Sequence, residues 1–409
     1  MEGYATLLSA LVALLIGLAA GKAWERYKLR DGVLLDRRRL RDAPHYLQAL
    51  NYLVADQIDL AIEELTAAAR YYPDSLEIRM MLGNLYRQKG QVGRAIQEHQ
   101  ALLQRPKLRR LEHANVLLCL GLDYRRGGFV DRALDAFTEV LHFDPDNRYA
   151  LLNLEKLYAE QHQWERAYEI RQRLTAVARG DEEERSRAIL AFLENERGLA
   201  DRRAGDLASA ARRFNAAIEL DPRALPAYLN LGDIRHAAGD LREAIAIWER
   251  LVQIAPDRAY LAFDRLEAGY RAAGTPEAFA DLCRRLIDAN RQDWRARLAL
   301  GRHLAAAGRG VEALEPLFEA LSINPHGLAI HQTIWCTLAQ LDLPRHLVTR
   351  YIELARESVF YLDPHVCVRC RYRSTELLWQ CPHCHEWNTF VEERISPARD
   401  EATSAELIH

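Results

Sequence analysis

The 409-residue chain is 49% hydrophobic and 28% charged, which gives it material for a sizeable core or a long repetitive array and excludes a disordered polymer. Its 55 basic and 58 acidic residues leave a formal net charge of −3, excluding the global positive field of a protein that coats nucleic acid. Only five of the basic residues are lysine, a bias that carries no functional reading by itself.

The first element in chain order is apolar. Residues 4–21, YATLLSALVALLIGLAAG, are 18 residues without a charge. As a helix they would span about 27 Å at ~1.5 Å per residue, close to the ~30 Å hydrocarbon core of a bilayer. A cleaved signal peptide would start with positive charge, whereas only Glu2 precedes this run, so the pattern predicts an uncleaved transmembrane anchor over residues 1–22. Lys22, Arg26, Lys28, Arg30, Arg37, Arg38, Arg39 and Arg41 follow, making residues 23–42 a basic juxtamembrane segment. The positive-inside rule then assigns the bulk of the chain to the cytoplasmic side, where such charges also meet anionic headgroups. In that reducing compartment, paired Cys-x-x-Cys spacings read as metal ligands before they read as disulfides.

Residues 43–360 carry a repeat. Small residues at Ala61, Ala95, Ala133, Ala167, Ala210, Ala244, Ala278 and Ala313 are spaced by 34, 38, 34, 43, 34, 34 and 35 positions. Ahead of four of them stand LGNLY (82–86), LGLDY (120–124), LGDIR (231–235) and LGRHL (300–304). Several units close on a proline, as in YYPD (71–74), FDPD (143–146), LDPR (220–223), IAPD (254–257) and INPH (323–326). Gly83, Gly121, Gly232 and Gly301 allow paired helices to approach, Phe137, Phe214, Trp248 and Leu317 are expected to fill the gap against the neighbouring unit, and proline ends each second helix. The pattern resembles the tetratricopeptide repeat, which implies helix pairs stacked into a superhelix with a concave binding surface. The long spacing at ARGDEEERSR (178–187) reads as an extended, solvated helix end. Ligand contacts in this repeat family come from inward positions of each first helix, which by phase are Asn84, Arg87, Leu118, Arg125 and Lys156 here.

No catalytic residues are expected. The sequence holds no phosphate-cradling glycine loop, no GxSxG elbow and no HExxH pair. His99, His142 and His236 fall within repeat helices, where packing or exposure accounts for them. Cys119, Cys283 and Cys336 sit in apolar helical contexts and read as small buried hydrophobes.

The C-terminal element is CVRCRYRSTELLWQCPHC, residues 367–384, with Cys367, Cys370, Cys381 and Cys384 as two Cys-x-x-Cys pairs. Two facing knuckles of this kind complete a tetrahedral thiolate site for one Zn(II) or Fe ion. The surrounding domain, residues 361–395, is too short for a core of its own and draws folding energy from the metal. Trp379, Trp387, Tyr372 and Phe390 are expected to cover the site or dock it onto the final repeats. Residues 396–409 read as a polar, flexible tail. Rubredoxin knuckles carry glycine after the second cysteine; Arg371 and His385 stand there instead, which counts against a redox or electron-transfer protein. A nucleic-acid-binding ribbon would need a basic stripe, yet Asp363, Glu376 and Glu386 balance Arg369, Arg371 and Arg373. A generic protein-assembly scaffold is the other alternative.

The whole arrangement, all-α with an anchor, a tetratricopeptide superhelix and a four-cysteine domain ending LLWQCPHCHEWNTF, resembles the lipopolysaccharide assembly protein B family. That resemblance implies a single-pass protein of the bacterial inner membrane, open to homo-oligomerisation. It further implies an adaptor that brings the deacetylase of lipid A synthesis to a membrane-bound AAA protease.

Overall fold

The computed structural model describes residues 44–106, 108–177, 180–341, 345–355 and 365–393. The expected anchor, the basic juxtamembrane segment and the C-terminal tail lie outside them. Among the described residues no helix is long and apolar enough to cross a membrane.

The chain forms two compact units dividing after Leu157. The first contains α1 (Pro44–Val54), α2 (Ile58–Tyr71), α3 (Leu76–Gln88), α4 (Val92–Leu103), α5 (Arg110–Arg126) and α6 (Val130–Phe143), and most of α7 (Arg148–Glu160). The second runs through α8 (Trp164–Val177), α9 (Asp181–Arg203), α10 (Leu207–Leu220), α11 (Leu225–Ala237) and α12 (Leu241–Ile254). A 3-10 segment, Pro256–Ala262, leads into α13 (Phe263–Ala272), α14 (Glu277–Ala289), α15 (Trp294–Ala306), α16 (Gly310–Ile323), α17 (Leu328–Ala339) and α18 (Arg345–Ala355).

Local chemistry sets these boundaries. α2, α6, α10, α12 and α16 each stop two residues before a proline: Pro73, Pro145, Pro222, Pro256 and Pro325. The turn inside each helix pair takes a left-handed residue, as at Gly128 (φ 76°) and Gly205 (φ 87°), with Asp56 and His162 in the same role elsewhere. Asp206, Asp240 and Asp293 then cap the helices that follow by accepting backbone N–H bonds from Ser209, Glu243 and Ala296.

Packing follows the repeat. A methyl group on Gly121 would lie 2.6 Å from the Phe137 ring, and one on Gly198 would lie 2.6 Å from Phe214, so only glycine lets those helices close. The same offset pairs Gly232 with Trp248, Gly301 with Leu317 and Gly83 with His99. His99 is therefore a core filler, fully buried, with Nδ1 paired to the equally buried Asp123. Asp123 also accepts from Arg87 at 2.8 Å.

Two expectations need correction. The alignment anchor of the seventh helix pair is Ala280, which is fully buried, and not the half-buried Ala278. Each anchor is the fourth residue of its helix, and α14 starts at Glu277 because the preceding 3-10 segment lengthens that unit. Of the three repeat cysteines only Cys283 is buried; Cys119 is intermediate and Cys336 exposed. The charge run at 181–184 is the N-terminus of the 23-residue α9, where four carboxylates face the positive end of the helix dipole.

The second unit ends in a three-stranded antiparallel sheet, order β2-β1-β3, from β1 (His365–Cys367), β2 (Arg373–Ser374) and β3 (Phe390–Glu392). Val366 faces Arg373 on one side and Val391 on the other, and Cys367 faces Phe390.

Candidate metal centre and its docking face

The sheet and its two knuckles bring all four ribbon cysteines together. Their sulfurs lie within 4.8 Å of one another, with Cys367 to Cys384 at 3.7 Å and Cys370 to Cys381 at 3.6 Å. A disulfide would need ~2.05 Å. Tetrahedral thiolates at ~2.3 Å from one ion stand about 3.8 Å apart, so the site has the dimensions of a single-ion centre. Cys367 and Cys381 are buried, and Phe390 packs beside them.

The thiols differ in environment. Burial pushes Cys367 up, but hydrogen bonds from the Thr389 hydroxyl (3.1 Å) and from the backbone N–H groups of Cys370 and Arg369 outweigh it and hold the thiol near about 6. Burial and the neighbouring sulfurs push Cys384 up to about 12, and burial raises Cys370 as well. Without an ion the cluster therefore keeps protons that a cation would displace, which is the condition for a metal-dependent fold.

One face of the ribbon is closed by the helices. Trp387 stacks on Phe192 of α9 at 5.6 Å and 16°, and meets Trp164 of α8 edge-on at 6.4 Å. Trp379 lies against Phe192 at 6.2 Å. Four polar links surround these rings: His385 to Glu160 at 3.0 Å, Glu386 to Arg185 at 2.7 Å, Asn388 to Arg258 at 2.9 Å, and Glu392 to Arg295. Surface ion pairs contribute about 0–1 kcal/mol each, so the aromatic contacts carry most of the docking energy. The ribbon thus docks between residues 160 and 295, further back along the array than the final repeats.

The clustering of the four cysteines and the two tryptophans were legible in the sequence. Glu160, Arg185, Phe192, Arg258 and Arg295 were not, because their partners lie 97 to 225 positions away along the chain and leave no periodic trace. The phase-derived contact residues sit on the first helices of the first unit. Asn84 accepts from Arg87 at 2.9 Å, Arg125 donates to Asn153 at 2.8 Å, and Leu118 and Lys156 are half-buried.

A helical-repeat protein bearing a docked four-cysteine ribbon is the class that this fold and site define. Known families agree: residues 365–392 match the rubredoxin metal binding domain, and residues 46–107, 202–264 and 263–327 match tetratricopeptide repeats. Among solved structures, a tetratricopeptide repeat protein from Parabacteroides merdae covers 72% of this chain and 97% of its own at 18% identity and TM-score 0.35, too loose a superposition to bear on the fold. Lipopolysaccharide assembly protein B of Escherichia coli K12 is 23% identical over 384 residues, covering 93% of this chain and 97% of its own. Its Haemophilus influenzae namesake is also 23% identical, with 96% and 98% covered. Over nearly its whole length the chain is similar to the lipopolysaccharide assembly protein B family.

Proposed function

We propose that this chain is a non-catalytic adaptor of lipopolysaccharide assembly, anchored in the inner membrane with its repeats and ribbon on the cytoplasmic side. It brings the lipid A pathway deacetylase to a membrane-bound AAA protease and so limits lipopolysaccharide supply. The observation that supports this reading is the match to lipopolysaccharide assembly protein B along 93% of the chain, repeats and ribbon together. Physical features fit it. A helix array offers a large docking surface, and a tether confines the adaptor to the plane of the protease, which raises effective concentration. Asn84, Arg87, Leu118, Arg125 and Lys156 are the array positions assigned to partner contact, and one Zn(II) or Fe ion occupies the ribbon.

Affinity capture of the full chain from detergent-solubilised membranes tests this reading. The deacetylase and the protease should co-purify with it. Recovery of neither, from membranes containing both, would reject the adaptor role.

A further inference from the structure

The two knuckles are one structure made twice. The N–H of Arg371 donates to the Cys367 carbonyl and that of His385 to the Cys381 carbonyl, both at 2.9 Å. The N–H of Cys367 donates to the Tyr372 carbonyl and that of Cys381 to the Glu386 carbonyl, again at 2.9 Å. Arg371 (φ 62°) and His385 (φ 57°) both adopt the left-handed conformation in which glycine is unstrained and a side chain is not. The turn itself therefore explains neither residue; strain retained at such a position points to a use for the side chain.

For His385 the use is visible. It reaches the Glu160 carboxylate, and the next two residues hold Arg185 and Phe192. The first knuckle has the same shape and faces solvent. Val368 is 54% and Tyr372 40% exposed, and Arg369 and Arg371 are exposed beside them. Three ribbon acids are engaged elsewhere, Glu386 with Arg185, Glu392 with Arg295 and Glu393 with Arg373, and the exposed Glu376, five residues after Arg371, pairs with neither arginine. Among the described residues, Arg369 and Arg371 form no ion pair.

We propose that the first knuckle is a docking surface for an acidic segment of a partner protein. Arg371 takes a partner carboxylate as His385 takes Glu160, while Val368 and Tyr372 supply the apolar contact. Unpaired guanidinium groups beside an exposed tyrosine match both the charge of such a segment and the composition of binding hot spots. The proposal rests on the scaffold reading above and names the chemistry of one of its contacts.

The test uses the metal-loaded full chain in detergent. Two fluorescein-labelled peptides share the same leucine and tyrosine positions, one with glutamate and the other with lysine between them; phosphatidylglycerol vesicles are the third probe. Wild type should bind the glutamate peptide in a salt-dependent way and not the lysine peptide. Arg371→Gly suits the left-handed turn, so metal content should be unchanged and the melting temperature equal or higher, while affinity for the glutamate peptide falls about tenfold. Equal binding by Arg371→Gly, equal binding of both peptides, or binding to the vesicles alone would each overturn the proposal. Co-purification of deacetylase and protease with Arg371-independent peptide binding would sink the knuckle proposal and spare the adaptor. Arg371-dependent binding without those partners would do the reverse.

Discussion

Asp123 shows how much one side chain holds in the first unit. It is fully buried, accepts from Arg87 on one oxygen and pairs with His99 through the other. Removing it leaves a buried imidazole and a guanidinium without their acceptor, and breaking a buried pair of this kind costs about 3–5 kcal/mol. Asp123→Ala should therefore lower the urea midpoint of the first unit's unfolding by an amount equivalent to about 3 kcal/mol, whereas an unchanged midpoint would show that water substitutes for the carboxylate. His99 also marks where sequence reading stops at this scale. Phe137, Trp248 and Leu317 were legible as gap fillers, though each packs against the glycine sixteen positions earlier in its own helix pair and not only against the neighbouring unit. Histidine in that slot was not, because its burial depends on a carboxylate supplied by the next helix pair. Gly198, opposite Phe214, lacks the LG landmark and was hidden for the same reason of context.

At the scale of elements, helix boundaries were legible because proline, glycine and aspartate act locally. The four-cysteine cluster was legible because two knuckles impose a fixed spacing. The docking face was not, since each of its contacts joins a short ribbon to helices far away in sequence. Trp387 is its centre. Trp387→Ala should weaken docking by about 2–3 kcal/mol, the worth of burying a large apolar side chain, without changing metal content. Hydrogen exchange of α9 around Phe192 measures this: faster exchange is expected, and unchanged protection would mean that the ion pairs hold the ribbon alone.

The thiols add a pH dependence at the same scale. Cys367 has its value lowered to about 6, so its contribution to the folded, metal-free ribbon is present above the ordinary thiol range and fades as pH falls through about 6. Cys384, raised to about 12, must give up a proton when an ion binds. Metal affinity measured against a chromophoric chelator should therefore fall as pH drops from about 8 to about 5, with release of protons on binding. A flat profile would mean that the thiols are not the ligands.

At the scale of the whole molecule, the proposed adaptor works by holding others. The repeats supply surface and the ribbon closes over part of it; in the proposed adaptor the apolar N-terminal run supplies the tether. The most direct measurement is the lifetime of the lipid A pathway deacetylase in cells, followed after synthesis is blocked. Four strains suffice: one with the full chain, one without it, one lacking residues 1–21, and one carrying Cys381→Ser with Cys384→Ser. An adaptor of this kind predicts rapid loss of the deacetylase only with the full chain and several-fold longer survival in the other three. Equal lifetimes in all four strains would contradict it.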